Sequence, residues 1–215
     1  ILPLPYYSVS PGEVINMEQV VKVPESKDHF YAISANVYQN PYTEALGFDN
    51  SFKVNTFYYL VSKLQPGTEL IEFPSGYSVT DEIKQNQYEM LDQSTDVALR
   101  LASRYLHQDI DADISFGELA GSSGSLATAL EIIQQLGDND LIRGRKIAVT
   151  GELREDGVVQ PIGFLEQKIL SAEKASIQIM VVPAANRADI IESGITFIYV
   201  ENLDDAVVKL MAPQV

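Results

Sequence analysis

From Asp81 to about His107 the apolar side chains Tyr88, Leu91, Val97-Ala98, Leu101-Ala102 and Leu106 recur at three- and four-residue steps. That period fits one face of an α-helix. The rhythm then changes to alternation. Ile110, Ala112, Ile114 and Phe116 fall on one side of an extended chain, so Asp109 to Phe116 is expected to be a half-buried strand. A glycine-serine stretch follows, and Leu126 to Leu136 reads as a helix closed by Gly137. Lys146 to Thr150 is an apolar strand, and Glu155-Asp156-Gly157 is a tight turn into Val158-Val159-Gln160. Leu165 to Ala175 has helical spacing, Gln178 to Val182 is a strand, and Ala185 to Glu192 is a short helix. Thr196 to Val200 is the last strand and Leu203 to Met211 the last helix. From residue 108 onward this alternation of strand and helix argues for a layered α/β body.

The first part of the chain reads differently. Leu2-Pro3-Leu4-Pro5-Tyr6-Tyr7 has too much proline for a helix and is expected to be extended. Gln19 to Val23 and Phe30 to Tyr38 are rich in β-branched and aromatic residues and flank the polar Pro24 to Asp28, which suggests a hairpin. Phe57 to Leu64 has the pattern of a short helix, and Pro66-Gly67 and Pro74-Ser75-Gly76 mark loops. The resulting expectation is one α/β domain, with residues 1–85 as a β-rich lobe packed on a main body of residues 86–215. There is no internal repeat.

Composition narrows the possible partners. Hydrophobic residues make up 46% of the 215 residues, enough to bury a sizeable core. The net charge of -15 repels phosphate backbones, so no nucleic-acid partner is expected. The densest basic cluster, Arg143-Gly144-Arg145-Lys146, precedes an apolar strand and is read as a solvated turn. The chain has no cysteine, which removes catalytic thiols, disulfides and thiolate metal sites. No apolar run approaches the ~20 residues of a membrane helix, and Ile1-Leu2-Pro3-Leu4-Pro5 lacks the features of a signal peptide.

The segment Gly121-Ser122-Ser123-Gly124-Ser125 lies between an expected strand and an apolar helix. Small residues there admit a substrate backbone, and the helix start offers free N–H groups. A serine in that position could be a nucleophile whose oxyanion those groups hold. Ser and Gly at a helix start are equally ordinary N-caps. The residues alone leave both open.

The remainder of the chain supplies a resemblance. Ile147-Ala148-Val149-Thr150-Gly151-Glu152-Leu153, then Asp156-Gly157-Val158-Val159-Gln160-Pro161-Ile162-Gly163, then Glu166-Gln167-Lys168-Ile169-Leu170-Ser171-Ala172 resemble the proteolytic domain of Lon proteases. Met180-Val181-Val182-Pro183-Ala184-Ala185-Asn186 is similar to that family's apolar strand and Asn-bearing turn. The likeness is continuous from about residue 108 to the end. Leu4-Pro5-Tyr6-Tyr7, Tyr6 to Gly12 and Asn40-Pro41-Tyr42 look like the membrane-anchored, PDZ-containing Lon-like peptidases of Gram-positive bacteria.

The resemblance implies a Lon proteolytic fold with a Ser-Lys dyad, in which Ser123 is the nucleophile and Lys168 the general base. Thr150 would hydrogen-bond the lysine, and Gly121 and Ser122 would shape the turn. Ser122 is the rival nucleophile. Two segments differ from the family pattern: the usual Gly-Pro-Ser-Ala-Gly turn keeps only the nucleophile and one glycine, and Phe164 stands for the second glycine of the lysine loop. A hydroxyl needs a base to become nucleophilic, and lysine serves only if desolvation lowers its pKa. Leu165, Ile169 and Ala172 around Lys168 supply an apolar setting.

The expected function is therefore hydrolysis of peptides or unfolded proteins, ATP-independent because no Gly-x-x-x-x-Gly-Lys-Ser/Thr loop occurs, with no cofactor and no metal expected. The other possibility is a catalytically inactive scaffold that binds peptides or partner subunits, including copies of itself as a homo-oligomer. The residues between Asp81 and Ser123 leave no room for an inserted PDZ module, so a PDZ-less branch is expected. The Ile start suggests a preceding membrane anchor as the route of membrane contact and an extracytoplasmic location. His107, Asp109, Asp111 and Asp113 alternate and could hold a cation, but a strand with a solvated acidic face explains them equally.

Overall fold

The computed structural model describes residues 4–23, 27–38, 53–73, 81–116 and 122–212. A six-stranded mixed sheet organises them. Its members are β1 (Tyr6–Asn16), β3 (Tyr31–Val37), β4 (Glu69–Glu72), β6 (Ile147–Val149), β9 (Ile179–Pro183) and β10 (Thr196–Val200), in the order β10-β9-β6-β3-β1-β4. The strands from β3 to β10 run parallel, whereas β1 is antiparallel to both of its neighbours. Two small pairs flank the sheet: β2 (Val21–Lys22) with β5 (Asp113–Ile114), and the hairpin β7 (Glu152–Leu153) with β8 (Val159–Gln160). The helices are α1 (Thr56–Leu64), α2 (Asp81–Leu106), α3 (Ser125–Leu136), α4 (Leu165–Lys174) and α5 (Leu203–Met211).

Strand alternation divides the core between the two faces of this sheet. Ala32, Ile147, Val149, Ile179, Val181, Ile198 and Val200 pack with the apolar stripes of α2, α3 and α5. Their sequence neighbours Ile33, Ala148, Met180 and Val182 pack with Leu165, Ile169 and Ala172 of α4. The central strands are thus covered on both sides, which is why they read as unbroken apolar runs. The mixed α/β layering matches the sequence expectation. One sheet takes strands from both 1–85 and 86–215, and residue 85 lies within α2.

Two expected elements take another form. Phe30 to Tyr38 does not form a hairpin with Gln19 to Val23; its strand β3 pairs with β1 instead. The cause is local. The Asn16 side chain accepts the Glu18 N–H and caps a 3-10 turn at Met17–Gln19. That turn carries Val21–Lys22 away to β5. Of Asp109 to Phe116, only Asp113–Ile114 is a strand, because β2 offers just two residues to pair with. The alternation there was a packing signal. Ile110, Ala112, Ile114 and Phe116 are all partly buried against the larger core cluster. The loop expected at Pro74-Ser75-Gly76 and the family-like stretch Asn40-Pro41-Tyr42 lie outside the described residues.

The helix α3 is buried almost throughout, and Leu130 is fully enclosed in the larger core cluster. Leu130→Ala is expected to lower unfolding free energy by about 2–5 kcal/mol, measured by urea titration.

Candidate functional site

Ser123 sits in a 3-10 turn, Ser122–Gly124, that runs directly into α3. The segment after β6 fixes this turn. The Gly151 N–H donates to the Ser123 carbonyl at 2.9 Å, and the Leu126 N–H donates to the Gly151 carbonyl at 3.1 Å. Ser125 Oγ donates to the Ser122 carbonyl at 3.0 Å and accepts the Leu153 N–H at 2.8 Å. Close approach at Gly151 requires glycine, since a Cβ there would lie 2.9 Å from both Leu126 and Val159.

Lys168 comes from the opposite face of the sheet, on α4. The helix begins after Phe164, whose φ of 59° puts it in the left-handed region. The family pattern has glycine at this position, and the backbone geometry explains that preference. The loop ahead of it is held by Asn186: its Oδ1 accepts the Ile162 N–H at 2.9 Å and its Nδ2 donates to the Ile162 carbonyl at 3.0 Å. Farther along α4, Ser171 Oγ donates to the Gly12 carbonyl of β1 at 3.1 Å.

The two faces meet at the C-terminal end of β6. Lys168 Nζ donates to Ser123 Oγ at 2.8 Å and to Thr150 Oγ1 at 3.1 Å. Thr150 follows β6 directly and is anchored by its N–H to the Val181 carbonyl at 3.0 Å. Lys168 is only 4% exposed. Burial disfavours its charged form and lowers its pKa from 10.5 to about 8. Such an amine is partly neutral near physiological pH and can accept a proton. A hydroxyl held against it at 2.8 Å is placed to supply one.

The other residues singled out in the sequence fall elsewhere. The Ser122 hydroxyl turns away from the amine and donates to the Glu152 carboxylate. Gly121 lies outside the described residues. Among the described residues no group of three or more His, Asp or Glu side chains could hold a metal ion, and the alternating acids before Phe116 form no such group. A polar cluster that sequence reasoning passed over lies under α3. Glu131 is fully buried, accepts the Phe30 N–H at 2.9 Å and pairs with His29 Nδ1 at 2.6 Å. Desolvation raises its pKa, against the opposing effect of these bonds. Gln135 joins it to the Asp28 carbonyl at 3.1 Å, so α3 is tied to the segment leading into β3. The one available signal was an acidic residue at a core-facing position of an apolar helix.

Residues 104–212 match the model of the Lon protease (S16) C-terminal proteolytic domain. Lon protease 1 of Borreliella burgdorferi is 37% identical over 97 residues, covering 42% of this chain and 12% of that protein. The archaeal Lon protease of Methanocaldococcus jannaschii is 36% identical over 94 residues, 43% of this chain and 14% of its own. Lon protease 1 of Bacillus subtilis is 30% identical over 109 residues, 46% of this chain and 14% of its own. The matched part therefore spans well under a fifth of these curated relatives.

The depressed pKa of Lys168 makes stability depend on pH in a defined window. Below about pH 8 both folded and unfolded chains hold the proton, and the folded state carries the full cost of a buried charge. Between about 8 and 10.5 the folded state has released a proton that the unfolded chain still binds, so stability rises with pH. Lys168→Met removes this dependence. Across that window wild type should gain about 3 kcal/mol relative to the variant, measured by urea unfolding at several pH values.

Proposed function

The chain belongs to the Lon protease (S16) C-terminal proteolytic domain family, and on that premise we propose that it is a serine endopeptidase with Ser123 as nucleophile and Lys168 as general base. The observation that carries the assignment is the buried Lys168 amine at 2.8 Å from Ser123 Oγ.

In this mechanism the neutral amine donates to Thr150 Oγ1 and its lone pair accepts the Ser123 hydroxyl proton. Ser123 Oγ then bonds to the carbonyl carbon of the scissile peptide. The oxyanion formed is held by backbone N–H groups where the 3-10 turn enters α3, in the positive field of the helix start. The Lys168 ammonium returns its proton to the departing amine as the C–N bond breaks, leaving an acyl ester on Ser123. A water molecule, deprotonated by the same amine, hydrolyses that ester and restores the hydroxyl. Nothing in the cycle consumes a nucleotide.

Peptides and unfolded segments are the proposed substrates. The likeness of Leu4-Pro5-Tyr6-Tyr7 to membrane-anchored relatives supports an extracytoplasmic placement, which fractionation of cells expressing the natural gene would check. Among the described residues no helix is long and apolar enough to cross a membrane.

Ser123→Ala should abolish cleavage of an unfolded protein, followed by mass spectrometry, while the melting temperature stays within a few degrees of wild type. Ser122→Ala should keep most of the activity, and a serine-directed phosphonate should label Ser123 alone. Labelling at Ser122, or none at all, would contradict the assignment. Lys168→Arg should be inactive because guanidinium keeps its proton. Wild-type kcat/KM should rise with pH through about 8, as the amine of the free enzyme loses its proton.

A further inference from the structure

Three large apolar side chains of α1 point into solvent. Phe57, Leu60 and Leu64 are 68%, 58% and 84% exposed. At positions i, i+3 and i+7 they share one face of the helix. The other side of α1 is anchored to the body: Ser62 is buried, Tyr59 packs on Tyr6 with ring centroids 5.1 Å apart, and Tyr58 stacks on Tyr38 at 3.6 Å. The stripe is therefore presented by a fixed helix.

The chemistry around it selects an occupant. In a chain of net charge -15, α1 has no acidic residue. Its one charged side chain is Lys63, which lies over the Tyr59 ring at 4.8 Å, and Lys53 precedes the helix. The Leu4 N–H donates to the Val54 carbonyl at 2.8 Å, which brings the uncharged Leu4-Pro5 beside the start of α1. Apolar tips, a band of tyrosines behind them and flanking lysines form the profile of a segment seated at a lipid–water boundary. A second copy of the chain fits less well. The stripe offers on the order of 400 Å² per copy, against the ~600–800 Å² per partner that a stable dimer requires. A bilayer needs neither that area nor shape complementarity.

We propose that α1 rests on a lipid bilayer surface, with Phe57, Leu60 and Leu64 inserted at the boundary between headgroups and acyl chains. The contact is peripheral and needs no spanning helix from α1.

Vesicle flotation tests this with the 215-residue chain, using vesicles of pure phosphatidylcholine and of an equimolar mixture with phosphatidylglycerol. Wild type should float with both. The combined Phe57→Ser, Leu60→Ser and Leu64→Ser variant should lose about tenfold in its vesicle-bound fraction. It should keep the wild-type melting temperature and cleave a soluble peptide at the wild-type rate. Val208→Ser, which alters a side chain 66% exposed on α5, should float like wild type. Failure of wild type to float, or equal flotation of the triple variant, overturns the proposal. So does a wild-type dimer in sedimentation velocity that the triple change splits, because the stripe then belongs to a second copy. Flotation needs no active serine, so its outcome is separate from that of the peptidase assignment.

Discussion

Removing a lysine amine from water costs several kcal/mol unless it sheds its proton or gains partners. Lys168 is nearly fully buried and has two hydroxyl partners, Ser123 and Thr150, and no carboxylate among its bonds to the described residues. Hydroxyls satisfy the amine's hydrogen bonds but bring no opposite charge, so desolvation prevails and the pKa falls to about 8. A salt bridge at the same position would have held the proton in place and prevented the amine from acting as a base. Much of the surrounding architecture serves to keep this arrangement.

Ser123 and Lys168 arrive from helices on opposite faces of one sheet and meet beyond the end of β6. Such a meeting tolerates little slack, and each side is tied independently. On the serine side, reciprocal bonds between Ser123, Leu126 and Gly151 fasten the turn to the strand end. On the lysine side, Asn186 grips both backbone groups of Ile162, and Ser171 reaches Gly12 on β1. Thr150 stands between them with its own backbone bonded to β9. Glu131 and His29 extend the bracing along α3 to the start of β3. These ties explain how a weakly nucleophilic hydroxyl and a weakly basic amine can be held together in the absence of substrate.

The sequence revealed the parts of this arrangement that repeat with a period. The apolar runs of β6, β9 and β10 and the helical stripes of α2, α3 and α5 were readable because both sheet faces are covered. The pairing of strands was less readable. A three-residue turn capped by Asn16 decides that Phe30 to Tyr38 joins β1, and no periodicity reports such a turn. The alternation from Ile110 to Phe116 identified the buried side correctly but said nothing of a missing ladder partner. At the site, Ser123, Lys168 and Thr150 were named through family likeness, since the apolar flank of Leu165, Ile169 and Ala172 suits a buried lysine but does not place a serine beside it. Their approach to each other depends on tertiary contacts across the sheet. Phe164 illustrates the converse. It departs from the family's glycine, yet it occupies the left-handed conformation that glycine would favour.

The proposed mechanism requires that the Lys168 amine be neutral within the working pH range. Nuclear magnetic resonance of isotope-labelled lysine side chains, assigned with Lys168→Met, measures that titration directly. The Lys168 resonance should titrate with a midpoint near pH 8, well below the other lysines. A midpoint close to 10.5 would mean that the amine remains charged beside Ser123 and cannot be the base.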